Sequence, residues 1–411
     1  MPRQHLVKRL PWLLLISALL SACVTQREDE VPPGYLKPAG WQNVDATLSH
    51  PSFTDYANAV KSEITRHRIP LQATRAGIEI ERAAPIEVLP AASCNETTRG
   101  IAILVHGLSD TAFAMKDIAD VMAEACYKSR TVLLPGHGTR PGDLLTIRRS
   151  DWSDTVNYVL EQAAAEQDHI VAVGFSLGAV LTLDAAMQAG SPIDALIAIS
   201  PAYYLSTYNL AKWTPWLHRL KPWIDRGVAD DAMRYEAMPT RGVVETVRAM
   251  QAMHKTIAQK GEVTLPWLVV QSWDDAVTVP ADNLSFLNRY ARHPESRVIN
   301  FAAKKKPLND ADRSLWLPGD NESMRVEALT HVAVHVSPDN PHYGINGDYK
   351  NCGTTAPRDR IEVEKCLSAD DVWYVLWGGV APDGQASAMA TFNPQFDQLS
   401  TQIKQFLKDT Q

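Results

Sequence analysis

From residue 99 onward the chain alternates short, wholly apolar runs with longer runs of helical periodicity. Few architectures accept that alternation. An apolar run of five to eight residues with no polar face is buried on both sides, and strands of that kind separated by helices form a parallel sheet. The predicted strands are "GIAILVHG", "RTVLLPGHG", "HIVAVGF", "IDALIAIS" and "LPWLVVQSW", with a sixth inside "EALTHVAVHV". The first predicted helix is "TAFAMKDIADVMAEAC", where Phe113, Met115, Ile118, Val121 and Met122 share a face. The second is "SDWSDTVNYVLEQAAAEQ", with Ser150 as its cap and Asp151 in its first turn. "SLGAVLTLDAAMQAG", closed by Gly190, and the terminal "QFDQLSTQIKQFLKDT" complete the set. The expected class is α/β: a mostly parallel central sheet flanked by helices.

Two stretches interrupt the pattern. Residues 203–262 hold Trp213, Trp216, Trp223, Met233 and Met238 and lack strand-like runs, so they read as a helical cap insertion. Residues 41–98 form an N-terminal extension, with a helix near "FTDYANAVKSEITRHRI" and then a hairpin around "AGIEIERAAPIEVLP". No internal repeat or long low-complexity tract is visible.

The N-terminus reads as a targeting segment. Arg3, Lys8 and Arg9 precede the apolar run "PWLLLISALL", which is too short to span a bilayer. "LSAC" then resembles the lipobox of bacterial lipoproteins, which implies cleavage after residue 22, acylation of Cys23 and membrane attachment through it. An ordinary signal peptide is the alternative. Val24 in place of an acid favours the outer membrane over inner-membrane retention, facing the periplasm. Residues 23–40, polar and rich in proline, read as a tether. The formal charge is −7, and removing the three cations of residues 1–22 makes the remainder more acidic still. That argues against nucleic acid as a partner, which calls for a basic face.

Cys94, Cys126, Cys352 and Cys366 remain once Cys23 is set apart. An even number in an exported chain points to disulfides. Three pairings are open. The local one, Cys352 with Cys366, leaves Cys94 for Cys126; four buried thiols are the alternative. No C-x-x-C pair supports a zinc site, and no metal is expected.

Chemistry concentrates at "HIVAVGFSLGAVLTL". Ser176 stands in a G-x-S-x-G pattern between a predicted buried strand and a helix. Gly174 and Gly178 permit a strained turn there, and the helix start directs free N–H groups at the serine. A serine hydroxyl needs a base to become nucleophilic. A helix-capping serine is the plainer reading. Acyl transfer also needs two N–H donors for the developing oxyanion. Leu177, after the serine, supplies one. Leu108, in "ILVHGLSD", supplies the other, and His106 in that loop is read as structural. Asp274 and Asp275 in "QSWDDAVTVP" are candidate acids. His293, His331, His335 and His342 are candidate bases, His293 lying in the polar stretch "RYARHPES".

"LVHGLSD", "LLPGHGTRPGDL", "DWSDTVNYVL", "GFSLG" and "QSWDDAVTVP" together make residues 99–411 resemble the α/β-hydrolase superfamily, in particular bacterial carboxylesterases and monoacylglycerol lipases. The resemblance implies a Ser-Asp-His triad in that chain order, an acyl-enzyme, ester or lipid substrates and no cofactor. The D-x-x-x-x-P ending of relatives selects Asp275, with Pro280 as its proline. His331 has the expected place, just past a short strand; His335 and His342 are alternates. This chain departs from the pattern at Ala179, where a second glycine is usual, and in the 56 residues from Asp275 to His331. That span carries an insertion, "KKKPLNDADRSLWLPGD". A further insertion, 338–390, follows the histidine and carries Cys352 and Cys366. A peptidase, thioesterase or acyltransferase could use the same residues, and a non-catalytic envelope-binding lipoprotein is a more distant possibility.

Overall fold

The computed structural model describes residues 31–40, 48–95, 97–207, 221–227, 229–303, 313–353 and 360–410. The signal segment, Cys23, Trp213, Trp216 and the stretch "KKKPLND" lie outside these residues. Helices α1 (Phe53–His67) and α2 (Ala76–Ala83) and strand β1 (Glu87–Val88) come first. The alternating part then runs β2 (Gly100–Val105), α3 (Lys116–Glu124), β3 (Tyr127–Val132), α4 (Arg149–Glu166), β4 (Ile170–Phe175), α5 (Leu177–Ala186) and β5 (Ala195–Ile199). The insertion contributes β6 (Trp223–Asp225), β7 (Met238–Pro239) and α6 (Thr240–Lys260). The remainder is β8 (Trp267–Ser272), α7 (Pro280–Tyr290), β9 (Arg297–Ala302), β10 (Ser314–Pro318), α8 (Arg360–Ser368), β11 (Trp373–Val375), β12 (Ser387–Met389) and α9 (Phe396–Asp409).

Eight strands form one sheet in the order β1-β3-β2-β4-β5-β8-β9-β10. Only the short β1 runs antiparallel, against β3. Strands β2, β4, β5 and β8 are buried at every position, as their unbroken apolar runs require. One face of the sheet packs on α1, α4, α5, α6 and α7 through residues such as Tyr56, Trp152, Leu183, Met253 and Leu287. The other packs on α3, α9 and the post-histidine insertion, through Met122, Phe406, Tyr343 and Tyr374. The parallel strands all present their C-terminal ends on one edge, where loops collect side chains for chemistry.

Five local expectations are corrected. The segment predicted as a hairpin is helix α2 followed by β1, which pairs with β3 instead of with its own neighbour. The run "GIEIERA" carries both periods; burying Glu79 against Arg68 favours the helix. The sixth strand is "RVINFA" at β9, whereas residues 327–336 hold no strand and turn at 331–335. The apolar positions of "EALTHVAVHV" are buried in loop contacts, so they carried a strand-like signal without a partner strand. The insertion is not free of strands, because β6 and β7 pair antiparallel across it. Helix α4 starts two residues earlier than expected: Arg148 occupies the cap, and the Asp151 carboxylate accepts its N–H at 2.9 Å, so Ser150 lies inside the helix. Gly190 is left-handed as a terminator should be, but stands in the turn beyond the Met187 cap.

Both disulfides expected from the cysteine count are formed. Cys94–Cys126 ties the approach to β2 to the turn before β3, and Cys352–Cys366 anchors α8. Cys352 and Cys366 are both buried, in a segment otherwise short of regular structure. A loop of this length constrains the unfolded chain by about 3 kcal/mol. Replacing both Cys352 and Cys366 by serine is expected to lower unfolding free energy by about that amount in denaturant titration; an unchanged midpoint would contradict it.

Candidate active site

Ser176 lies between β4 and α5 with φ 53° and ψ −111°, a backbone conformation that L residues rarely hold. The surroundings impose it. The Ser176 N–H donates to Ile199 O at 3.0 Å, and its carbonyl accepts from Ala202 N and Ala179 N, both at 3.2 Å. Close backbone packing does the rest. A Cβ on Gly174 would stand 2.4 Å from the Gly178 carbonyl carbon, and one on Gly178 would stand 2.0 Å from Val105 O. The backbone of Ala179, where a second glycine is usual, lies at the same contact, and the residue is fully buried.

Across from the serine, the His331 Nε2 lies 3.0 Å from Ser176 Oγ, and its Nδ1 lies 2.7 Å from Asp275 Oδ2. A neutral ring that donates from Nδ1 to the carboxylate keeps the Nε2 lone pair for the hydroxyl proton. The Asp275 carboxylate is itself fixed. Oδ1 accepts from Val277 N at 2.7 Å and Thr278 N at 3.1 Å, and Oδ2 accepts from the Thr278 hydroxyl at 2.8 Å. Burial pushes this carboxyl up, but the adjacent His331 ring and the Thr278 donors outweigh burial and hold it below the ordinary value. It is therefore ionised when the histidine needs a counter-charge.

The long span before His331 ends in a loop tied to three strand ends. The Ser200 hydroxyl, after β5, donates to His331 O at 3.1 Å, and the Ser272 hydroxyl, ending β8, donates to Leu329 O at 2.7 Å. Thr330 donates to Ala390 O at 2.7 Å, just past β12. These three were not foreseen, though a lone serine closing each of two neighbouring buried strands ("IAIS", "VVQS") was a usable signal.

The other candidates are placed elsewhere. Asp274 accepts from Ala303 N at 3.0 Å and does not meet the histidine. His293 accepts from Glu295 N in its own turn. His342 bridges Asp231 and Asp348. His335 is buried with its ring 4.1 Å from that of Phe175, and neither nitrogen makes a well-formed hydrogen bond among the described residues.

Leu177 opens α5, where an N–H has no intrahelical partner. Leu108 follows His106 and Gly107 at the end of β2. Two buried histidines shape that loop. His106 Nδ1 faces Gly107 O at 2.7 Å while Nε2 accepts from Leu134 N at 3.0 Å. His137, from "PGHG", faces Leu134 O with Nδ1 and accepts from Ser109 N at 3.1 Å with Nε2. His106 is structural, as expected; the matching role of His137 was missed. Burial pushes His106 down to about 4. Burial, then the neighbouring His106, pushes His137 down to about 3. Among the described residues no group of three or more His, Cys, Asp or Glu is arranged to hold a metal, and no helix is long and apolar enough to cross a membrane.

His335 is depressed most simply: burial first, then the charge of Arg234 and the nearby His331, push it from 6.5 to about 3. The unfolded chain then binds a proton at this ring where the folded chain does not. Stability is whole above the ordinary histidine value and falls as pH drops toward the depressed one. His335→Leu is expected to lose less thermal stability than the parent between pH 6.5 and 4. Equal losses in both proteins would contradict this.

The chain is similar to several known proteins. The family model Hydrolase_4, described as serine aminopeptidase, S33, matches residues 96–301. A thermostable monoacylglycerol lipase of Bacillus sp. (strain H-257) is 26% identical over 202 residues, covering 48% of this chain and 78% of that protein. Among solved structures, a monoacylglycerol lipase of Paleococcus ferrophilus aligns with a TM-score of 0.43 and 16% identity, over 53% of this chain and 88% of that one. A monoglyceride lipase of Saccharomyces cerevisiae aligns with a TM-score of 0.45 and 16% identity, over 53% and 82%. The matched region contains Ser176 and Asp275 and stops before His331. With its mostly parallel eight-stranded sheet and half its length matched, the chain is an α/β-hydrolase belonging to the Hydrolase_4 (serine aminopeptidase, S33) family.

Proposed function

We propose that this protein is a serine esterase of the lipase or monoacylglycerol lipase type, with Ser176, His331 and Asp275 as its catalytic triad. The observation that carries the reading is the unbroken hydrogen-bonded series from Ser176 Oγ through the His331 ring to Asp275, at 3.0 and 2.7 Å. In this reading His331 Nε2 takes the Ser176 proton as Oγ attacks the ester carbonyl. The charge on the carbonyl oxygen is met by the Leu108 and Leu177 N–H groups. His331 returns the proton to the departing alcohol, leaving an acyl-serine, and then activates water in the same way to release the acid. Asp275, buried and ionised, holds the Nδ1 proton and stabilises the imidazolium formed in each step. The name of the Bacillus relative supports esters of lipid character as substrates. The family description supports a second reading, removal of N-terminal residues from peptides.

Ser176→Ala is expected to reduce hydrolysis of p-nitrophenyl esters by at least about a thousandfold, with the fold intact by circular dichroism. A panel of short esters, monoacylglycerols and aminoacyl anilides assigns the bond. Turnover of esters well above anilides supports the esterase reading, and the reverse order replaces it with the peptidase one.

We further infer that the protein works at the bacterial cell envelope, attached through an acylated Cys23. The "LSAC" sequence and the preceding cationic and apolar runs support this. Cys23→Ser is expected to move the protein from the membrane fraction to the soluble periplasmic fraction and to abolish labelling by a palmitate analogue. Unaltered membrane association of the variant would contradict the anchor.

A further inference from the structure

The loop that carries the Leu108 N–H has little rigidity of its own. Its internal bond, Asp110 N to Gly107 O, is 3.4 Å long, and Ser109 sits at φ 71°. On one side His137 receives the Ser109 N–H. On the other side the loop is held by the stretch that returns from the insertion: Tyr235 N donates to Ser109 O at 2.9 Å, and Asp110 and Arg234 form an antiparallel bridge. Their side chains pair as well, Arg234 Nε to Asp110 Oδ1 at 2.7 Å, with Asp110 2% exposed. The other Asp110 oxygen lies over Gly107, 2.8 Å from where a Cβ would stand. The carboxylate thus clamps the residue next to Leu108, and its charge is met by Arg234.

The Arg234 side chain is in turn held by a residue beyond the matched family region, Tyr343. Its guanidinium lies over the Tyr343 ring, 5.4 Å from the centroid, while its backbone N–H donates to Asp231 Oδ1 at 3.2 Å. Asp231 accepts from the Tyr343 hydroxyl at 3.0 Å and pairs with His342 Nε2 at 3.0 Å. The other His342 nitrogen meets Asp348, which is bound by Arg75 and by Arg82, the latter at 2.9 Å. A connected set of side chains thus runs from α2 at the surface to the loop beside Ser176.

We infer that Arg234 is a positioning residue for the oxyanion loop, and that the stretch 340–349 of the post-histidine insertion serves to brace it. This rests on the proposed role of the Leu108 N–H. An oxyanion donor must be held within about 0.5 Å of its productive position, so slack in this clamp weakens binding of the tetrahedral intermediate while substrate binding is little affected.

The test compares Arg234→Gln, Arg234→Lys and Tyr343→Phe with the parent protein. It reads kcat and KM on a short p-nitrophenyl ester and the Kd of an alkyl boronic acid, whose tetrahedral adduct on a serine mimics the intermediate. Arg234→Gln is expected to lower kcat about tenfold or more and to weaken the boronic acid by a similar factor, with KM within about twofold. Arg234→Lys recovers part of both losses. Tyr343→Phe shifts the same two quantities about threefold. Parental kcat and boronic acid affinity in folded Arg234→Gln overturn the inference. If that variant does not fold, the same result in Tyr343→Phe overturns it. A parent protein that neither turns over the ester nor binds the boronic acid overturns the esterase reading instead.

Discussion

The site depends on three backbones approaching more closely than any side chain would allow. Gly174 at the end of β4, Gly178 in the first turn of α5 and Val105 at the end of β2 meet with no room for a methyl group between them. That contact sets α5 against the sheet. It also forces Ser176 into its strained conformation, with the hydroxyl directed away from the core. The strain is offset by hydrogen bonds to Ile199 and Ala202, groups that belong to the neighbouring strand β5 and its loop. Strain of order 1–3 kcal/mol persists only where the surroundings over-determine it, and here they do.

Hydrogen bonds from strand ends explain how the chain accommodates two insertions around its histidine. Between Asp275 and His331 the chain adds α7, β9 and β10 and runs through an irregular loop. What reaches the site is only the end of that loop, and Ser200, Ser272 and Thr330 fix its position against the sheet and the β12 region. The length of the excursion is then unimportant. The insertion after the histidine is likewise not a loose appendage. Its buried cystine and Tyr343 join the core on one face of the sheet.

Much of this was legible in the sequence, for reasons that can be named. Strands β2, β4, β5 and β8 are buried on both faces, so their apolar runs admit one interpretation. The elbow requires small residues at fixed spacing, and Gly174 and Gly178 reveal it. Asp275 follows from its distance to Pro280, which opens α7. The errors arose where local pattern and tertiary environment disagree. "GIEIERA" alternates like a strand, yet the Arg68–Glu79 ion pair buries its acid from a helix. "THVAVHV" is apolar because it packs beneath Phe175 and on α9, not because it joins the sheet. His331 was selected for following a strand that is not there, and it meets Ser176 and Asp275 nonetheless. The charge network from Arg75 to Asp110 was not legible, because it joins four separate parts of the chain through residues that look individually like surface charges.

The most direct test of the account is covalent labelling by a fluorophosphonate, which needs an activated serine and a formed oxyanion site. Peptide mapping of the labelled, folded protein should place a single adduct on Ser176, formed rapidly in the parent protein and very slowly in His331→Ala. A folded protein that does not react, or an adduct on any other serine, would contradict the account.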